Sequence, residues 1–426
     1  MENPTSSTAI PKRWVARFFT IWGGQAFSLV GSALVEFALV WWLTAQTGSA
    51  TVLATATLFA VLPRIVLGPF VGALVDRWNR RLIMVVADSS IAVVTSVLFY
   101  LFATNRIQIW HVYVIMFLRS LGGAFHGPAM ASSTSLMVPD EHLARVAGMN
   151  QTLQGVINIF APPLGALLIS LLPTEQVLAV DIGTAALAVI PLFFIPIPQP
   201  PRQMALANGS AQKTSYWHDL RAGFVYVIKW PGLLGMILLA MILNFLFNPA
   251  LSLLPLLVRG EFHGGAQQLA WVEAMFGVGV ILGGLALSVW GGFKRRIVTC
   301  LCGIIGMGAG LIMSGLTPAD MFWLLLASFF VLGFTQVFAN GPLFAIFQSA
   351  ITPDMQGRVF SLINAGLTAM MPLGLLIAGP ISDWLGIRIL YVFGGAVWIL
   401  MPVAALFIPA IMNIEENCHP SHAKNS

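Results

Sequence analysis

Charge is what this sequence has least of. Only 9% of its 426 residues are Asp, Glu, Lys or Arg, against about 25% in an ordinary soluble domain. So little charge would not keep a chain of this size in water. Cysteine is nearly missing as well. Cys300 and Cys302 fall in an apolar run and Cys418 in a polar tail, which gives neither a disulfide framework nor a metal pattern. There is no G-x-x-x-x-G-K-[ST] phosphate loop, no recognisable Ser/His/Asp arrangement and no His/Cys/Asp cluster at metal-ligand spacing. These gaps leave ATP hydrolysis by this chain without support and imply no cofactor, no metal and no enzyme. The net charge of +5 does not point to nucleic acid here, because basic residues in a membrane chain report orientation. No cleavable leader is expected from the first residues: residues 1–13 are mostly polar, with prolines, and the apolar run after them is longer than a leader's.

What is abundant is apolar surface, at 58% of residues. A membrane-crossing helix takes about 20 mostly apolar residues. Runs of that kind fall near 15–44, 51–75, 82–104, 109–135, 143–171 and 176–197, and then near 232–258, 267–290, 297–317, 320–349, 356–382 and 387–412. The fold class expected is an all-α polytopic membrane protein with twelve transmembrane helices. Its organisation reads as a tail (1–13), a six-helix bundle (14–197), a linker with an interfacial helix (198–230), a second six-helix bundle (231–412) and a tail (413–426). Residues 198–215 are rich in Pro, Gly, Ser and Ala, as a flexible linker is. After them Trp217, Leu220, Phe224, Val227 and Ile228 recur at the spacing of a helix lying on the membrane surface.

Twelve spans put both termini on one side, and the basic residues choose the side. With the termini inside, sixteen of the 21 Lys and Arg residues are cytoplasmic, Arg106, Arg259 and Arg388 are outside, and Arg64 and Arg119 are in the membrane. The expected location is therefore a bacterial cytoplasmic membrane with both ends in the cytoplasm. The two halves also echo each other. A shift of 214 carries Gly127, Pro128, Ala131, Ser135, Pro139, Asp140 and Asn150 onto Gly341, Pro342, Ala345, Ser349, Pro353, Asp354 and Asn364. Span four thus matches span ten in the same orientation, which makes the halves parallel repeats around a central cavity.

Polar residues inside lipid are expensive and mark function unless they are paired for structure. Span one carries Gln25, Ser28, Ser32 and Glu36 on one face, and span four carries Arg119, His126 and Ser133. Span seven carries Asn244, Asn248 and Ser252, and span ten carries Gln336, Asn340, Phe344 and Gln348. Four such stripes on repeat-related helices point to a shared aqueous cavity. The same residue types also glue helices together, for about 1–2 kcal/mol or less each. Glu36 and Arg119 read as the most informative pair, a proton-exchanging carboxylate beside a fixed cation or a packing bridge. Asp88 with Arg64 reads as a second, more structural pair. Glu273 reads as a cation contact or a solvated mouth residue, and Asp181 as a capped or solvated helix end.

The turn after span two reads Gly72-Ala-Leu-Val-Asp76-Arg77-Trp-Asn-Arg80-Arg81. It resembles the G-x-L-x-D-R-x-G-R-R signature of the major facilitator superfamily, with Asn79 where glycine is usual. The resemblance implies that Asp76, with Arg77 and Arg81, bridges to the opposite bundle and locks it. Arg119-Ser-Leu-Gly-Gly123 resembles the family's span-four motif linked to proton transfer. Ala161-Pro162-Pro163-Leu164-Gly165-Ala166 resembles its antiporter motif on span five. Stretches such as WGGQAFSLVGSALVEFAL and FLRSLGGAFHGPA extend the likeness to the macrolide-efflux proteins of the drug:proton antiporter group, over nearly the whole length. Glu36 stands where glutamine is more usual there. The resemblance implies a monomeric, proton-coupled exporter of small amphipathic compounds working by alternating access. A lipid or lysophospholipid flippase, a solute importer and a non-transporting receptor are the other readings the residues leave open.

Overall fold

The structure, a computed structural model, describes residues 14–199 and 223–415. Among these residues there is no strand, and twelve helices of 20 residues or more follow one another. The first six are α1 (Trp14–Thr47), α2 (Ala50–Arg77), α3 (Arg80–Ala103), α4 (Ile109–Met137), α5 (Asp140–Leu171) and α6 (Thr174–Phe194). The second six are α7 (Pro231–Ser252), α8 (Ala266–Trp290), α9 (Arg296–Leu316), α10 (Phe322–Ala350), α11 (Pro353–Leu385) and α12 (Ile387–Leu406). Eleven of them are long and apolar enough to cross a membrane. The other is α4, whose sequence is diluted by Arg119, His126 and Ser132-Ser133-Thr134-Ser135. The chain is a multi-pass membrane protein.

The repeat seen in the sequence is visible in the elements. Both α4 and α10 are 29 residues long, and each holds an internal proline, Pro128 or Pro342. The helix after each begins beside a proline, Pro139 before α5 and Pro353 opening α11. Two expected spans come out about six residues shorter than their apolar runs: α12 ends at Leu406, with a separate turn at Pro409–Met412, and α7 ends at Ser252. α7 gives way to a turn at Leu254–Leu256 and a wide π-turn at Leu257–Glu261. Pro255 has no N–H to donate to the carbonyl of Leu251, so the α-helical ladder breaks there. Of the expected interfacial helix, residues 200–222 lie outside the described residues, with Trp217 and Leu220 among them. Residues 223–228 are helical, with Tyr226 and Val227 buried and Phe224 and Ile228 exposed.

The chain forms two compact units. Unit 1 is Met1–Leu39 with Phe59–Gln212, and unit 2 is Val40–Leu58 with Lys213–Ser426. In unit 1, α3 packs along both α4 and α6. Phe18 and Ile21 of α1, Val75 of α2, Met84 of α3 and Leu192 of α6 share one apolar cluster. α1 reaches α6 through Gly31, where a Cβ would run into the hydroxyl of Thr184 and lie 3.1 Å from Asp181 Oδ1.

In unit 2, α9 packs against α10 and α12, and α8 against α10. Unit 2 also holds the tip joining α1 to α2, and it caps both helix ends there. Arg259 donates to the carbonyl of Ala45 at 3.0 Å and sits 5.9 Å over the Trp41 ring. The carboxylate of Asp383, on α11, accepts from the N–H groups of Ala50 and Thr51 at 2.6 and 2.9 Å and from the Ser49 hydroxyl at 2.9 Å. A cation thus meets the negative end of α1 and an anion the positive end of α2, the arrangement that helix dipoles favour.

Candidate functional site

A cavity of about 160 Å³ opens among α1, α2, α3 and α4 within unit 1. α1 lines it with Gln25, Ser28, Ser32 and Glu36, the whole stripe that the spacing predicts. α4 adds Arg119, Ser120 and His126, α3 adds Asp88, and α2 adds Arg64. The local reason is periodicity: residues three or four apart share one face of a helix. Phe37, the neighbour of Glu36, is buried, and its ring lies where a Cβ on Gly165 would be, 2.8 Å from Cδ1. The glycine of the antiporter-like segment therefore seats α1 against α5. Pro162 and Pro163 stand one turn or less before it, inside α5.

The ion pairs differ from those read off the sequence. Arg119 pairs with Asp181, not with Glu36: Nη1 lies 2.6 Å from Asp181 Oδ2, and the same nitrogen donates to Thr95 Oγ1. Asp181 also accepts from Thr95 at 3.0 Å and from Ser32 at 3.2 Å. It is 1% exposed. It is no solvated helix end, because position 181 lies seven residues into α6, roughly 10 Å along its axis. Nor does Asp88 pair with Arg64. It accepts from Gln25 Nε2 at 2.8 Å and has His126 Nε2 3.4 Å from its other oxygen. Glu36 is exposed on the cavity wall. Arg64 is exposed beside it, over the flat made by Gly123.

A second cavity of about 250 Å³ adjoins the first and shares Gln25, Leu29 and His126 with it. Its remaining wall includes Trp22, Ala26, Met130 and Leu153, and Trp22 is held by a 2.7 Å bond from Nε1 to Asn150. A charged chamber and a largely apolar one therefore share part of a wall. On another face, an apolar groove of about 450 Å³ runs between α3 and α4, past Trp78, Leu82, Leu118 and Phe125.

In the turn after α2, two arginines make contacts within unit 1. Arg80 donates to the carbonyl of Ser132 in α4 at 2.9 Å. Arg81 donates to the carbonyls of Leu192 and Phe193, the last turn of α6. Both arginines are thus engaged inside unit 1, where they satisfy helix carbonyls. Arg77 and Gly72 are exposed, and the side chain of Asp76 lies outside the described residues. Asn79, in place of the usual glycine, caps α3 by accepting from the N–H of Leu82 at 3.2 Å.

The second-half candidates all belong to unit 2. Asn244 and Asn248 donate back along α7, to the carbonyls of Ala240 and Asn244. Glu273 and Gln336 are half-buried, and Asn340 is exposed. Phe344 is exposed and stacks on Phe360 at 5.4 Å. Among the described residues no group of His, Cys, Asp and Glu is placed to hold a metal ion.

Known proteins bear on this geometry. The chain is 33% identical over 402 residues to macrolide efflux protein A of Streptococcus pyogenes, covering 94% of this chain and 98% of that protein. It is 24% identical over 406 residues to the multidrug efflux pump Tap of Mycolicibacterium fortuitum, covering 90% and 94%. Among solved structures, the nucleoside transporter NupG aligns with a TM-score of 0.65 at 12% identity, over 90% of this chain and 99% of that one. A POT family transporter in complex with 5-aminolevulinic acid aligns with a TM-score of 0.66 at 12% identity, over 94% and 97%. The family model described as Major Facilitator Superfamily matches residues 21–260 and again 233–416. Twelve long helices, an internal repeat and these matches agree, and the chain belongs to the Major Facilitator Superfamily.

Proposed function

We propose that this protein is an exporter of amphipathic, singly cationic compounds, macrolide-like drugs among them, driven by exchange for protons. The observation that carries the reading is the junction of the two cavities in unit 1. Glu36 and Asp88 line a polar chamber that shares Gln25 and His126 with a neighbouring, largely apolar one walled by Trp22 and Met130. Such a shape takes a charged group at one end and a hydrocarbon body at the other. Likeness to macrolide efflux protein A along 94% of the chain supports the same reading. Glu36, exposed to the chamber, is the proton carrier in this scheme, and His126 with Asp88 is a second place for the proton. Both termini face the cytoplasm, as the distribution of Lys and Arg favours.

The test is a susceptibility panel in cells stripped of their own pumps. Expression should raise tolerance to cationic amphiphiles, and a protonophore should remove the gain. Unchanged tolerance, or a gain indifferent to the protonophore, overturns the reading. Glu36→Gln should abolish substrate-triggered proton release in proteoliposomes; release at the unaltered rate removes Glu36 as carrier.

One observation favours a second reading. The apolar groove between α3 and α4 has the room and lining of an acyl-chain track, which a lysophospholipid flippase would use. That reading expects ATP-independent movement of labelled lysolipid across proteoliposomes. The exporter reading expects none above protein-free vesicles.

A further inference from the structure

We infer that Asp181, which does not line the cavity, sets the cavity's charge and hence its preference for cations. Arg119 is part of the cavity wall, and unneutralised it would repel a cationic ligand. Asp181 stands behind that wall on α6, 1% exposed, with Arg119 Nη1 at 2.6 Å. Two hydroxyls complete its shell: Thr95 donates at 3.0 Å and Ser32 at 3.2 Å. The carboxylate is thus satisfied from α1, α3 and α4 together, and Gly31 provides the space for α1 to come that close. A buried pair held so completely stays paired, because separating it would strand a charge out of water.

The charge balance follows. With Arg119 cancelled by Asp181, the wall presents two carboxylates, Glu36 and Asp88, against one guanidinium, Arg64. With His126 neutral, the chamber carries one surplus negative charge. One singly charged cation or one proton fills that surplus, and the two compete for it. Without Asp181 the surplus disappears: two guanidinium groups would face two carboxylates, and a cation would gain nothing over a neutral molecule of the same shape. Asp181 is on this account a positioning residue for selectivity that never touches the ligand. The inference rests on the export reading above and makes that reading's substrate class depend on a named side chain.

The experiment measures binding to the purified full-length protein in nanodiscs with two probes. Tetraphenylphosphonium is a permanent monocation, and triphenylphosphine oxide is an uncharged relative of similar shape. The unaltered protein should bind the cation at least tenfold more tightly than the oxide. Asp181→Asn should weaken cation binding tenfold or more and leave the oxide within about twofold. Asp181→Asn combined with Arg119→Met removes both charges and should restore the cation preference. That double variant decides the matter even where the single variant does not fold. Loss of both probes in equal measure in Asp181→Asn, or a double variant without cation preference, overturns the inference while leaving the exporter reading standing. An unaltered protein that does not prefer the cation overturns both.

Discussion

A hydrogen atom where any other residue has a methyl group governs the contact at position 31. Gly31→Ala would drive its Cβ into the Thr184 hydroxyl and against Asp181, and overpacking of this kind costs about 1–3 kcal/mol. Thermal unfolding of the purified variant should show a lower midpoint than the parent; an unchanged midpoint would mean that α1 and α6 separate freely. At this scale the sequence was half legible. Spacing alone found Gln25, Ser28, Ser32 and Glu36 on one face, and the structure lines a single cavity with all four. It paired Glu36 with Arg119 wrongly, because periodicity reports which face is polar and not which helix that face meets. Asp181 reads in sequence as a capped or solvated helix end for the same reason: its seven-residue depth in α6 is there to count, but its three partners come from three other helices.

Elements here are finished by side chains borrowed from elsewhere. Arg81 closes the last turn of α6, Asn79 opens α3, and Asp383 opens α2 from a helix more than 300 residues away in sequence. Removing an N-terminal cap costs about 0.5–2 kcal/mol. Asp383→Ala should therefore lower the unfolding midpoint of the protein, and it should speed amide exchange at Ala50 and Thr51 ahead of the rest of α2. Uniform exchange along α2 would count against the cap. Helix positions were readable to within a few residues, since an apolar run of the right length has few other fates in lipid. α7 and α12 were the exceptions, each ending about six residues early; in α7 composition stays apolar through Pro255 while the hydrogen-bond ladder does not. For the arginines of the turn after α2, the motif fixes residue types and spacing and leaves open which carbonyls of unit 1 lie within reach.

Taken whole, the molecule keeps the duplication that its sequence announces, in matched helix lengths and matched prolines at α4 and α10. What no periodicity announces is that the division between the units falls inside two continuous helices, at Leu39–Val40 in α1 and Leu58–Phe59 in α2. In α2 that position coincides with a weakness in the backbone. Pro63 lies in the helix four residues after Phe59 and has no hydrogen to give to the Phe59 carbonyl. Prolines placed this way are where long helices bend. Arg259 and Asp383 hold the tip itself, through the Ala45 carbonyl and the N–H groups of Ala50 and Thr51. The segment is thus fastened at its tip and one backbone hydrogen bond short at its root.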